Sequence, residues 1–136
     1  MKILKIEPTE FTPEVILDPK ANRFVISGES RPENAGKFYQ QILDWLEEYY
    51  SLRYWKDSEF DSKKNEAIFE FNFEYFNSTS AKFILDILHK IKKFCKDNVN
   101  IKVEWHYDAP DLDMKESGEE FAKMTGIPFE FVAERT

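Results

Sequence analysis

The chain holds one cysteine, Cys95, among 136 residues. No intramolecular disulfide framework can be built from it, and such scarcity fits a reducing compartment. Glycine is almost as rare, with four in the chain. No G-x-G-x-x-G, Walker A or G-x-S-x-G pattern occurs, so the glycine-built nucleotide cradles and the nucleophile elbow are excluded. Positive charge is short as well: 19 Lys and Arg stand against 26 Asp and Glu, a formal net charge of −7. That balance repels nucleic-acid phosphates and anionic lipid, and no basic stripe overrides it. No apolar run approaches the roughly 18 residues that a membrane-spanning helix needs. The start, Met1-Lys2-Ile3-Leu4-Lys5, lacks the long apolar stretch of a secretory signal. A cytoplasmic protein without nucleic-acid or membrane partners is expected.

Bulky apolar matter is plentiful. Hydrophobic residues reach 42% and aromatics 16%, with 13 Phe, 6 Tyr and 3 Trp, beside 33% charged residues. A chain of this size and mixture suits one domain, residues 1–136, around one core.

Patterning predicts the elements. Glu14–Leu17 and Arg23–Ser27 are short apolar stretches separated by Asp18-Pro19-Lys20-Ala21-Asn22, which reads as a β-hairpin. The polar segment Glu29 to Asn34 follows as a loop. Phe38, Ile42, Leu46 and Tyr49, with Trp45 beside them, recur at helical spacing between about Ala35 and Ser51. Residues 52–64 read as a connection of undetermined shape. Phe69, Phe71, Phe73 and Tyr75 then alternate with Glu70, Asn72 and Glu74, the mark of a strand with one buried face. A parallel sheet covered on both sides would bury both faces, so helices mainly on one face are expected. Asn77-Ser78-Thr79-Ser80 opens a helix to about Lys96 with a stripe of Ala81, Ile84, Leu85, Leu88, Ile91 and Cys95. A second alternating strand carries Ile101, Val103, Trp105 and Tyr107 on one face and Lys102, Glu104 and His106 on the other. Asp113 with Glu116 can cap a helix to about Met124; Gly126 ends it, and Phe129–Val132 form a last strand. The order β-β-α-β-α-β-α-β implies an α/β fold with a mainly parallel sheet after the hairpin.

Chemistry-bearing residues are few. His89, His106 and Cys95 stand at no zinc spacing, and His106 alternates onto the solvent face of its strand, so no metal is expected. Asp108, Asp111, Asp113 and Glu116 lack the order of a calcium loop and are better read as helix capping. Cys95 lies in an apolar stripe, which favours a buried structural thiol. Phe83, Ile87 and Phe94 form a second row on the Ser78–Lys96 helix, either a wide core face or an exposed patch. The hydroxyl cluster at 77–80 sits where a strand turns into a helix, the place where α/β sheets put functional loops. It reads either as a plain N-cap or as a phosphoacceptor, since a dianion beside a helix N-terminus is electrostatically favoured.

Four stretches carry a family resemblance. They are Gly28-Glu29-Ser30-Arg31-Pro32-Glu33-Asn34, Ile42-Leu43-Asp44-Trp45-Leu46, Tyr75-Phe76-Asn77-Ser78-Thr79-Ser80-Ala81-Lys82 running into Ile84-Leu85-Asp86-Ile87-Leu88, and Val103-Glu104-Trp105-His106-Tyr107-Asp108. In this order and spacing the chain resembles the SiaC family of bacterial regulatory phosphoproteins, which are STAS-like relatives of anti-sigma factor antagonists.

The resemblance implies a STAS-like mixed sheet and a switch rather than an enzyme, with no cofactor. It implies phosphorylation by a histidine-kinase-like Ser/Thr kinase, reversal by a PP2C-type phosphatase, and binding to a downstream effector such as a diguanylate cyclase, within cyclic di-GMP signalling. The family's acceptor is the first hydroxyl after Tyr-x-Asn, here Ser78, with Thr79 as second choice. Glu29, Arg31, Glu33 and Asn34 in one loop, and Asn77, Lys82 and Phe83 in the other, are the candidate partner-binding residues. Two other readings stay open: an unmodified interaction module in which Ser78 is only a cap, and a small hydrolase using His106 and Asp108.

Overall fold

A computed structural model describes residues 2–55, 66–97 and 99–134. Its elements are β1 (Leu4–Ile6), β2 (Glu14–Asp18), β3 (Arg23–Ser30), α1 (Ala35–Trp55), β4 (Ala67–Phe76), α2 (Ser78–Lys96), β5 (Ile101–Asp108), α3 (Leu112–Thr125) and β6 (Phe129–Glu134). The six strands form one sheet in the order β1-β2-β3-β4-β5-β6. β1, β2 and β3 pair antiparallel, and β3 through β6 pair parallel. Every helix therefore connects one strand to its immediate neighbour, always stepping in the same direction. Right-handed crossovers then put all three helices on one face and leave the other open. The mixed sheet with helices on one side is the architecture that the strand patterning implies.

The aromatic content goes into the layer between sheet and helices. Phe24 of β3 lies against Trp45 and Tyr49 of α1 with ring centroids 6.2 and 5.5 Å away. Trp105 of β5 is fully buried, ringed by Phe71, Phe73, Phe121 and Phe129, and its indole N–H donates to the Met114 carbonyl at 3.0 Å. α3 comes this close because residue 118 is glycine: a Cβ there would sit 2.4 Å from the indole.

Several expectations are corrected. The N-terminal segment adds an edge strand, β1, where only three residues pair and too little alternation exists to read. α1 runs to Trp55 rather than Ser51, so residues 52–55 of the expected connection are helical; residues 56–65 lie outside the described residues. The cap of α3 is Asp111, whose carboxylate accepts from the Met114 N–H at 3.1 Å. The Asp113–Glu116 pair does not take that role, since the helix begins before it. α2 buries Ile84, Ile87, Leu88, Ile91 and Phe94, while Ala81, Leu85 and Cys95 are half-buried, so its core face is rotated from the expected stripe. The cause is α1, which covers the second row: Phe83 stacks on Tyr39 at 5.7 Å and Phe94 on Tyr50 at 4.7 Å. The row is a wide core face and not an exposed patch.

Tyr75 is the remaining correction. The pairing of β3 with β4 slips at Gly28, which faces Phe73, while Glu29 faces Tyr75. Glu74 is thus the extra residue of a β-bulge, and Gly28 takes φ +107°, a conformation that side-chain-bearing residues rarely adopt. Past the bulge the alternation reverses. Phe76 turns into the core against Phe73, Trp105 and Phe121, and Tyr75 turns out, 48% exposed.

Candidate functional site

β3 and β4 end side by side, and both candidate loops leave from that edge. The main-chain N–H of Asn77 donates to the Ser30 carbonyl at 3.0 Å, which ties the start of α2 to the start of the 29–34 loop. Asn77 is the N-cap of α2 in extended conformation, and its side-chain oxygen accepts from the Ser80 N–H at 2.9 Å. Ser78 and Thr79 are the first two residues of the helix and both are exposed. Ser80 is fully buried. Its hydroxyl donates to the Ser30 carbonyl at 3.0 Å and accepts from the Ser30 hydroxyl at 2.9 Å, and that hydroxyl is 2.5 Å from the Tyr39 hydroxyl. Burial, partly offset by the two serine hydroxyls, raises the Tyr39 pKa to about 12. The four-residue hydroxyl run therefore divides into a cap, two accessible hydroxyls and one structural anchor.

The 29–34 loop is shaped from three sides. Arg31 donates through Nε to the Glu29 carboxylate at 2.9 Å, and its guanidinium lies 4.6 Å from the centre of the Phe11 ring. Its main-chain N–H also bonds to the Phe11 carbonyl at 2.8 Å. Asn34 caps α1 by accepting from the Lys37 N–H at 3.1 Å, and Glu33 is exposed. Across the junction, Lys82 is exposed one helical turn beyond Ser78, with Nζ 5.8 Å from the centre of the half-buried Phe83 ring. The described structure thus brings Glu29, Arg31, Asn77 and Ser78 to one end of the sheet. Asn34 and Phe83 are occupied in capping and in packing on Tyr39. Phe11 and Tyr75, exposed by 46% and 48%, flank this edge and were not read from the sequence. A register slip hid Tyr75, and Phe11 belongs to a segment without periodicity. Ser30, Tyr39 and Ser80 were missed too, since only the fold joins three separated hydroxyls.

His106 and Asp108 do not form one pocket. Asp108 lines an open groove with Pro8, Glu14, Ser27, Gly28, Asn72, Glu74 and Glu134, and His106 is not among its walls. His106 lies on the open face of the sheet as alternation implies, but it is 9% exposed rather than solvated. Glu134 approaches its Nδ1 at 2.5 Å, Glu104 its Nε2 at 3.1 Å, and Glu70 the same Nε2 at 3.6 Å. Burial disfavours a charged imidazole here, but the surrounding carboxylates outweigh it and hold the pKa above the usual histidine value. Cys95 is half-buried with Sγ 3.5 Å from the Ile101 carbonyl, and burial raises its pKa. Among the described residues, no helix is long and apolar enough to cross a membrane.

Comparison with known proteins gives a consistent result. The model of the SiaC family of regulatory phosphoproteins matches residues 6–134. An uncharacterized protein of Pseudomonas aeruginosa strain UCBPP-PA14 is 28% identical over 129 residues, 95% of this chain and 94% of that protein. The crystal structure of apo-SiaC from Pseudomonas aeruginosa superposes with a TM-score of 0.83 at 27% identity, covering 98% of this chain and all of that one. SiaC in the crystal structure of its complex with the diguanylate cyclase SiaD, which it activates, is similar at TM-score 0.83 and 27% identity, over 96% of this chain and 99% of that one.

Proposed function

This chain belongs to the SiaC family of regulatory phosphoproteins, and from that premise we propose that it is a non-enzymatic, cytoplasmic partner switch with Ser78 as its phosphoacceptor. Its downstream target is of the diguanylate cyclase class, as in the SiaC–SiaD complex. A histidine-kinase-like Ser/Thr kinase adds the phosphate and a PP2C-type phosphatase removes it. The observation that supports this most is the division of the hydroxyl run: Ser78 and Thr79 are exposed at the N-terminus of α2, whereas Ser80 is sealed inside.

The switch works through charge. A phosphate on Ser78 adds roughly −1.5 to −2 charges. It arrives at the positive end of α2, where a dianion is tolerated without unfolding the helix. Lys82, four residues on along the same helix, is placed to pair with it. Ser78 is favoured over Thr79 because that spacing is the better one and because Ser78 is the first hydroxyl of the run. The surface that changes holds Tyr75, Phe11, Arg31, Glu29 and Glu33: exposed aromatic anchors beside charged groups, the composition of a protein-docking edge. A target that docks there in the unphosphorylated state meets an uncompensated dianion in the other. Incubation with ATP and the Ser/Thr kinase encoded beside the protein, followed by mass-spectrometric mapping, tests the assignment. One phosphate on Ser78, lost in Ser78→Ala, is expected; no phosphate, or phosphate elsewhere in the chain, refutes it.

A further inference from the structure

We propose that the open face of the sheet carries a site for a divalent cation of the zinc class, built from Glu70, Glu104 and His106. The three residues come from two adjacent strands. Glu70 of β4 pairs directly with Glu104 of β5, and His106 stands two residues along β5 on the same face. Sequence spacing cannot reveal the set, because 34 positions of chain separate the two glutamates, including all of α2.

The geometry fits an ion. One ligand atom from each residue lies within 4.8 Å of the other two. The imidazole Nε2 is 3.1 Å from a Glu104 oxygen and 3.6 Å from a Glu70 oxygen. An ion bound at about 2.0–2.2 Å from nitrogen and carboxylate donors holds its donors roughly 3–3.6 Å apart, so small side-chain motions complete the coordination. The other ring nitrogen, Nδ1, is already engaged by Glu134 at 2.5 Å. That is the carboxylate–histidine arrangement that fixes ring orientation and directs the remaining nitrogen at a metal. The site is recessed, with side-chain exposures of 11% for His106, 22% for Glu104 and 32% for Glu70.

Electrostatics point the same way. Like charges directly opposite each other on neighbouring strands destabilise a sheet, and Glu70, Glu104 and Glu130 stand in one row across β4, β5 and β6. Lys102 neutralises Glu130. Three carboxylates, from Glu70, Glu104 and Glu134, converge on the one imidazole. A dication relieves that excess, and the mixed nitrogen and oxygen donor set suits zinc better than calcium or magnesium. Bound there, it staples β4 to β5 on the side that no helix covers.

Calorimetric titration of Zn2+ alone into the chelator-stripped full chain at neutral pH tests the site. One ion per chain, saturable, is expected. Glu70→Gln and Glu104→Gln should each weaken uptake at least about tenfold with unchanged circular dichroism, while His89→Ala, on the exposed surface of α2, should leave it intact. His106→Ala should abolish it; should that variant fail to fold, the two glutamine variants decide. Absence of saturable uptake, uptake unchanged in both glutamine variants, or loss of uptake in His89→Ala overturns the proposal.

Discussion

Ser30 and Ser80, fifty residues apart in the chain, exchange two hydrogen bonds: the Ser80 hydroxyl donates to the Ser30 carbonyl at 3.0 Å and accepts from the Ser30 hydroxyl at 2.9 Å. Both are fully buried. This clasp fixes where the hydroxyl run of α2 can present its accessible members, since Asn77 bonds to the same carbonyl from the other side of the turn. Ser80 looks like an acceptor in the sequence and acts as an anchor in the fold.

Replacing Ser80 by alanine should therefore be costly while the neighbouring change is not. Ser80→Ala strands buried partners on Ser30 and should lower stability by roughly 1–3 kcal/mol. Ser78→Ala, at an exposed position, should stay within about 0.5 kcal/mol of the parent. Urea denaturation of the two variants measures the difference. Equal stabilities would mean that the clasp contributes nothing.

Tyr39 gives the clasp a pH signature. Its folded pKa, raised by burial to about 12, lies above the model value of 10.0. The folded chain keeps the phenol proton longer than the unfolded chain does, so stability falls as pH rises from about 10 toward 12. The loss should reach roughly 3 kcal/mol for this group at the top of that window. Tyr39→Phe should lack that component. Ultraviolet titration of tyrosinate should show one late phenol in the parent and none in the variant.

Gly118→Ala should be among the most damaging single changes. The new Cβ would meet the Trp105 ring at 2.4–2.7 Å, and Trp105 is locked by four phenylalanines and by its bond to Met114. Overpacking of this kind costs about 1–3 kcal/mol or more. A thermal melt checks it, and an unchanged midpoint would show that α3 can move away from the sheet.

Cys95 should react slowly. Its thiol is half-buried with a raised pKa, and its Sγ lies against the Ile101 carbonyl. Less thiolate at neutral pH means slower alkylation than for a free cysteine, with the normal rate restored in urea. Alkylation of the folded chain at the free-thiol rate would contradict that environment.

Much of the fold was legible because it follows from periodicity. Phe69, Phe71 and Phe73 announce a one-sided strand, and helices alternating with strands announce parallel pairing. What escaped the reading depends on contacts between distant residues. Tyr75 belongs by alternation with Phe73, and only the slip opposite Gly28 turns it outward. Phe94 and Ile87 are buried because α1 happens to lie over them, which no pattern within α2 encodes. At the site, the hydroxyl run was visible as a block, yet its division into Asn77, Ser78 with Thr79, and Ser80 required the turn geometry. His106 illustrates the same limit: alternation put it correctly on the open face, but the carboxylates enclosing it come from β4 and β6 as well as β5.

The most direct check of the phosphoswitch compares two forms of one protein. The chain phosphorylated stoichiometrically on Ser78 and the unmodified chain are titrated in parallel into the diguanylate cyclase encoded alongside it. The unmodified form should bind, and the phosphorylated form should bind at least about tenfold more weakly, the equivalent of roughly 1.4 kcal/mol. Equal affinities would contradict it, because the added dianion would then go unnoticed by the surface it is supposed to control.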